Sequence, residues 1–217
     1  MTRPILYSFR RCPYAMRARM ALAAAGINCT HREILLRDKP APMIDASPKG
    51  TVPVLIVEPG TVIDESLDVM DWALGQHDPD GWLFNDNRDE EMRALAFDLQ
   101  EQFKGHLDRY KYPSRYEDVN PQTERDKAVP YLLRLEKRLA DTPWLFGTTP
   151  RFADFAIFPF VRQFAHTDRD WFYAHPELAH TQDWLQRCLA LDIFKIAMQK
   201  YTVWSEGDEA VNFPPSP

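Results

Sequence analysis

Residues 10–17, RRCPYAMR, place a cysteine directly before a proline, with arginines on both sides. Helix formers run from Pro13 to Ala25, and Gly26 follows them. Proline at the first helical position and glycine just past the end predict a helix with Cys12 at its N-cap. A thiol there faces unpaired N–H groups and the positive end of the helix dipole, which favour the thiolate. Arg10 and Arg11 flank it, and Arg17 and Arg19 lie on the same helix. The chemistry this implies is nucleophilic attack by sulfur. In a dithiol motif, C-x-x-C, the fourth position holds a second cysteine; here it is Ala15. A mixed disulfide formed on Cys12 must then be resolved by an outside thiol. Cys29 and Cys188 fall inside a strand and a helix, and read as core residues.

Two other stretches carry polar chemistry or an unusual backbone. In TVPV (51–54) a proline opens a strand although it can donate no ladder hydrogen bond. In DES (64–66), Ser66 is a good N-cap for the helix that follows. The same helix N-terminus is a ready site for an anion.

The elements that position these residues begin with PILYSF (4–9), a short strand. CTHREIL (29–35) reads as a second strand, VPVLIV (52–57) as a buried third and TVID (61–64) as a fourth. KPAPMIDASPKG (39–50) is a proline-punctuated loop with at most a short helix. SLDVMDWAL (66–74) is a helix by its apolar spacing. The order is β-α-β-(α)-β-β-α. From Gln76 the composition turns to QHDPDGWLFNDN, read as a linker. No convincing strand follows. RDEEMRALAFDLQEQFKGHLDRYKY is a long amphipathic helix, and DKAVPYLLRLEKRLADT is another that Pro130 should end or kink. FADFAIFPFVRQFAH, with Pro159 inside, is a buried helix; LAHTQDWLQRCLAL and DIFKIAMQKY close the domain, and SEGDEAVNFPPSP is a loose tail. The expected division is a small α/β domain over 1–77, a linker over 78–87 and an all-helical domain over 88–217.

Bulk properties exclude some classes. The chain has 217 residues and a net charge of -6, which makes nucleic acid a poor partner. No apolar run of about 18 residues marks a membrane span. Strand-like sequence begins by Ile5, leaving no room for a signal peptide. Three irregularly spaced cysteines form neither a disulfide framework nor a zinc pattern. A cytoplasmic protein with reduced thiols and no metal is expected.

Four segments, in order and suitably separated, give the chain a resemblance to a known family: RCPYAMRARMAL, KGTVPVL, DES followed by a helix, and ADFAIFPFVRQ. The chain resembles the glutathione S-transferase superfamily over nearly its whole length. Its N-terminal half is most similar to the cysteine-type omega class and the glutaredoxin-2-like proteins. The resemblance implies a thioredoxin-like domain joined to an all-α helical bundle, with glutathione as co-substrate. It implies that Cys12 is catalytic, that the Val52-Pro53 bond is cis, and that the Val52 backbone pairs with the cysteinyl backbone of glutathione. It further assigns Glu65 and Ser66 to the γ-glutamyl end, Lys39 to glutathione, and Tyr14 to the pocket beside the cysteine. The resemblance also implies a Ser or Thr cap three residues before Asp154 at the start of the buried helix; Arg151 stands there instead, Thr149-Pro150 is the alternative cap, and which of them holds stays open. A second, small electrophilic or disulfide substrate would sit against helical side chains. Candidates are Phe97, Phe103, Phe160, Gln163 and Phe164, though aromatics at helical spacing are usually core. A homodimer follows by analogy alone. The leading function is glutathione-dependent thiol transfer or reduction. The alternatives are conjugation of glutathione to electrophiles, helped by Ser8, Tyr7 or Tyr14, and a non-enzymatic adaptor.

Overall fold

The strand that leads to Cys12 is short and sits at the centre of a five-stranded sheet: β1 (Ile5–Ser8) lies between β2 (Cys29–Glu33) and β3 (Val54–Glu58). β1 runs parallel to β2 and antiparallel to β3, pairing Leu6 with His31 on one side and with Leu55 on the other. β4 (Thr61–Ile63) extends the sheet beyond β3. In this computed structural model residues 3–215 are described, and they divide into two compact units. The first comprises Met1–Asp80 and Leu191–Pro217; the second is Gly81–Ala190.

In the first unit the expected element order holds. α1 (Pro13–Ala24) connects β1 to β2, α2 (Ala41–Ala46) is the short helix in the proline-rich loop, and α3 (Ser66–Gln76) packs on α1. α1 ends as its sequence dictates. Gly26 has φ +68°, and the N–H groups of Gly26 and Ile27 return to the carbonyls of Ala23 and Leu22. That is a Schellman closure, which needs a left-handed residue and so favours glycine. The sheet's fifth strand comes from the far end of the chain: β5 (Val211–Phe213) pairs antiparallel with β2, and Phe213 is buried.

This placement corrects two expectations. Within the expected loose tail, Val211–Phe213 form an edge strand, because Phe213 is an apolar residue that pairing with β2 buries; residues 216 and 217 of that tail lie outside the described residues. The helix in DIFKIAMQKY does not close the helical domain. It is α10 (Asp192–Ala197), and it packs on α1. The helical unit accordingly ends at Ala190 rather than running to 217.

Among the described residues the second unit is helical. α4 (Arg88–Leu99) passes through a π-helical turn, Gln100–Lys104, into α5 (Gly105–Lys111), so the long amphipathic segment is continuous. α6 (Pro121–Leu139) starts earlier than expected, with Asn120 capping the Thr123 N–H at 2.9 Å. Pro130 lies inside it without ending it, since packing on α5 and α9 (Ala179–Ala190) carries the helix through. α7 (Phe152–Ala165) is the buried helix, and α8 (Arg169–Ala174) follows. The expected linker is not a mere tether. Trp82 is buried and stacks on Phe155 with centroids 3.5 Å apart, so the second unit begins at Gly81.

Asp154 resolves the capping question. Arg151 is the N-cap of α7. It has no side-chain acceptor to offer, so its carbonyl takes the Asp154 N–H at 2.9 Å while the Asp154 carboxylate takes the Arg151 N–H at 2.8 Å. The other carboxylate oxygen accepts from the Leu145 N–H and the Trp184 indole. Burial pushes the Asp154 carboxyl up to about 6 against the pull of those donors.

Candidate active site

The turn after β1 delivers Cys12 to the N-terminus of α1. The Cys12 N–H closes this turn onto the Phe9 carbonyl at 3.0 Å, and Cys12 is the N-cap of the helix. Its side chain makes no capping bond to the helix. Instead Sγ lies 3.7 Å from the Val52 carbonyl, half-buried against the cluster of Tyr7, Ala15, Val52 and Val54. Ala15, at the place of a second cysteine, is buried in that cluster. The Val52-Pro53 peptide bond is cis. The other two thiols are chemically quiet. Burial pushes Cys29 up to about 12 and Cys188 well above its ordinary value.

The DES segment lies at the start of α3, with one change from the expected cap. Ser66 is the first helical residue and Glu65 the N-cap, so Ser66 does not cap the helix. The extended backbone of Glu65 supplies the first helical carbonyl, which accepts the Val69 N–H. The Ser66 hydroxyl is then available sideways, and it accepts from the buried Arg17 guanidinium at 3.3 Å. The same guanidinium lies over the Tyr14 ring, 5.6 Å from its centroid. Helix N-terminus and guanidinium together make this an electropositive corner with a hydroxyl in it.

Lys49, which sequence reasoning left unassigned, bonds the Glu65 carboxylate and lies 3.6 Å from that of Asp64. Ser47 donates to the other Asp64 oxygen at 2.5 Å. Lysine beside glycine in KGTVPVL was visible, but only the strand pairing of β3 with β4 shows that it meets DES. Lys39 lies beside Gly50, where a Cβ would stand 3.5 Å from its Nζ and 3.3 Å from Ile44 Cδ1. The φ of +63° at Gly50 is what favours glycine there.

A second group missed in the sequence lies behind the turn. Cys29, His31 and Glu33 share the buried face of β2. Glu33 Oε1 accepts the Arg10 N–H at 2.6 Å, and Oε2 meets His31 Nε2 at 3.2 Å. Burial holds His31 below its ordinary value despite the hydrogen bond with Glu33. Arg19 donates to the Ser8 hydroxyl, to the Arg10 carbonyl at 2.7 Å and to the Ala197 carbonyl at 2.7 Å. Burial pulls its guanidinium down to about 10, still charged at neutral pH. The signal was the period of two in CTHRE, which puts a carboxylate on an inward-facing position.

The proposed second-substrate residues do not form one surface. Phe103 and Phe164 are buried together, 5.3 Å between centroids, and Phe160 is buried as well. They are core residues because each falls on the inward stripe of its helix. Gln163 is partly buried, and Phe97 is 67% exposed on α4. Among the described residues no His, Cys, Asp or Glu cluster suits a metal ion, and no helix is long and apolar enough to cross a membrane.

Two family models match the chain: the glutathione S-transferase N-terminal domain over residues 6–81 and the C-terminal domain over 96–187. The chain belongs to the glutathione S-transferase family. Glutathione S-transferase omega-1 of Rattus norvegicus is 29% identical over 161 residues, 73% of this chain and 66% of the relative. The chain thus spans just under two thirds of that relative's length. Among solved structures, glutathione transferase Omega 3C from Trametes versicolor superposes with a TM-score of 0.76 at 20% identity, covering 92% of this chain and 85% of that one. A family member from Pseudomonas fluorescens pf-5, solved with two glutathione bound, gives 0.77 at 16% identity, covering 90% and 92%. These structures share the fold, a mixed sheet with helices followed by a helical unit.

Proposed function

We propose that this protein is a glutathione-dependent thiol transferase working through Cys12. The observation that carries the reading is a half-buried sulfur at the N-terminus of α1, 3.7 Å from the Val52 carbonyl. In the first step the Cys12 thiolate attacks the glutathionyl sulfur of a mixed disulfide, and the other thiolate leaves. In the second, a glutathione thiolate attacks that sulfur, giving oxidised glutathione and regenerating Cys12. With Ala15 in the fourth position, the resolving thiol comes from solution.

Glutathione would lie along the Val52 backbone. Its γ-glutamyl carboxylate would take the Ser66 hydroxyl and the N-terminus of α3, backed by Arg17, and its ammonium would meet Glu65. Lys39, Tyr14 and Pro53 would line the remainder. Lys49 holds Glu65 until the ligand's ammonium replaces it.

Conjugation to electrophiles needs an assisting hydroxyl. Ser8 and Tyr7 are buried and already accept from Arg19 and Arg32 respectively. Their burial weighs against conjugation, since those bonds leave each O–H free to donate, and it leaves Tyr14 as the candidate. The test is steady-state turnover with the mixed disulfide of glutathione and 2-mercaptoethanol, against turnover with 1-chloro-2,4-dinitrobenzene. Faster disulfide turnover that disappears in Cys12→Ser is expected. Conjugation that persists in Cys12→Ser, without disulfide turnover, would overturn the reading. The homodimer belongs to the same reading, and light scattering on the purified protein checks it.

A further inference from the structure

We propose that Glu33 is a positioning residue for Cys12, acting through the backbone of the turn that carries the thiol. The inference rests on Cys12 being the reacting group. The turn Phe9–Cys12 has Arg10 and Arg11 at its centre and is closed by the Cys12 N–H. The Arg10 N–H is taken by Glu33 Oε1 at 2.6 Å, and the Arg10 carbonyl is taken by Arg19 at 2.7 Å. Glu33 and Arg19 are 6% and 1% exposed. Two buried, oppositely charged side chains therefore hold the two polar groups of one residue. A hydrogen bond with one charged partner is about twice as strong as a neutral one.

The clamp is itself anchored. Glu33 is the last residue of β2, its carbonyl takes the Trp204 N–H at 2.8 Å, and its second carboxylate oxygen meets His31. Arg19 is anchored to Ser8 and to the Ala197 carbonyl. The turn cannot rotate without breaking a bond to Glu33 or to Arg19, which leaves a buried polar group short of a partner and is costly. What the clamp fixes is the approach of Sγ to the Val52 carbonyl, where the incoming disulfide would be aligned. A displacement of about 1 Å at such a point can cost orders of magnitude in rate.

Reach and charge can be separated at this position. Glu33→Gln keeps an acceptor oxygen at the same distance and loses the charge. Glu33→Asp keeps the charge and withdraws it by one methylene. The readouts are the rate of Cys12 alkylation by iodoacetamide, hydrogen exchange of the Arg10 amide and the melting temperature, none of which requires glutathione. Glutathionylation by oxidised glutathione is measured alongside. For a positioning role, Glu33→Gln stays within about threefold of the parent, whereas Glu33→Asp reacts about tenfold more slowly and its Arg10 amide exchanges faster. The reverse order overturns the proposal, and so does an unchanged rate in Glu33→Asp. An equal loss in both variants that follows the melting temperature also overturns it, leaving Glu33 a purely structural role. A parent protein that is alkylated at Cys12 but accepts no glutathione would instead defeat the thiol-transfer reading, and the alkylation series would still decide the role of Glu33.

Discussion

At the scale of single residues, the three cysteines show how place determines chemistry. Cys29 and Cys188 are buried and shifted upward, so they are poor nucleophiles at neutral pH. Cys12 is half-buried at a helix N-terminus. Titration of the folded protein with a chromogenic disulfide reagent is therefore expected to show one fast thiol, and three after denaturation. Three fast thiols in the folded state would contradict the packing of β2 and α9. The glutathione corner gives a second expectation. Ser66→Ala removes a hydroxyl that a ligand carboxylate would accept from, worth about 1.5 kcal/mol or a tenfold weaker Kd. Calorimetric titration with glutathione measures it. An unchanged Kd would place the carboxylate elsewhere. Cys12, Pro13 and the DES pair were legible in the sequence because caps, prolines and helix starts leave local signatures. Lys49 and Glu33 were not, because their partners lie across strand pairings that no local pattern reveals.

At the scale of elements, α7 begins on a buried carboxylate. Asp154 has a folded-state value of about 6, above the roughly 4 of an unfolded aspartate. The sign follows from linkage: the unfolded chain loses this proton first as pH rises. Asp154 thus contributes stability below about pH 4 that is lost as pH climbs to about 6. His166, held down to about 4 by burial and by Arg162, titrates in the opposite sense. The difference between parent and Asp154→Asn isolates the carboxyl. Denaturant unfolding at pH 4 and pH 7 is expected to show the parent's advantage over the variant shrinking at the higher pH. A growing advantage would mean that the three N–H donors outweigh burial. Sequence periodicity located α4, α6 and α7 because their apolar stripes are strong. It set the start of α6 too late and gave Pro130 too much weight, because the Asn120 cap and the packing that carries a helix through a proline act from outside the periodic window.

At the scale of the whole molecule, the unexpected feature is that the chain returns to its first unit. α10 packs on α1, β5 completes the sheet, and Ala197 offers a carbonyl to the buried Arg19. The linear order of the sequence hid this, since a three-residue strand in a proline-rich, acidic stretch carries almost no local signal. Truncation after Ala190 removes Phe213 from the core and leaves Arg19 short of an acceptor. It is expected to lower the stability of the sheet unit by at least about 3 kcal/mol, read by thermal melting. An unchanged melt would detach the C-terminal segment from the first unit. The central claim concerns the thiol, and intact-protein mass spectrometry after mixing with oxidised glutathione tests it most directly. The account expects one added glutathionyl group on the parent protein, none on Cys12→Ser, and its release by reduced glutathione. A parent protein that binds glutathione and never carries the adduct would contradict it.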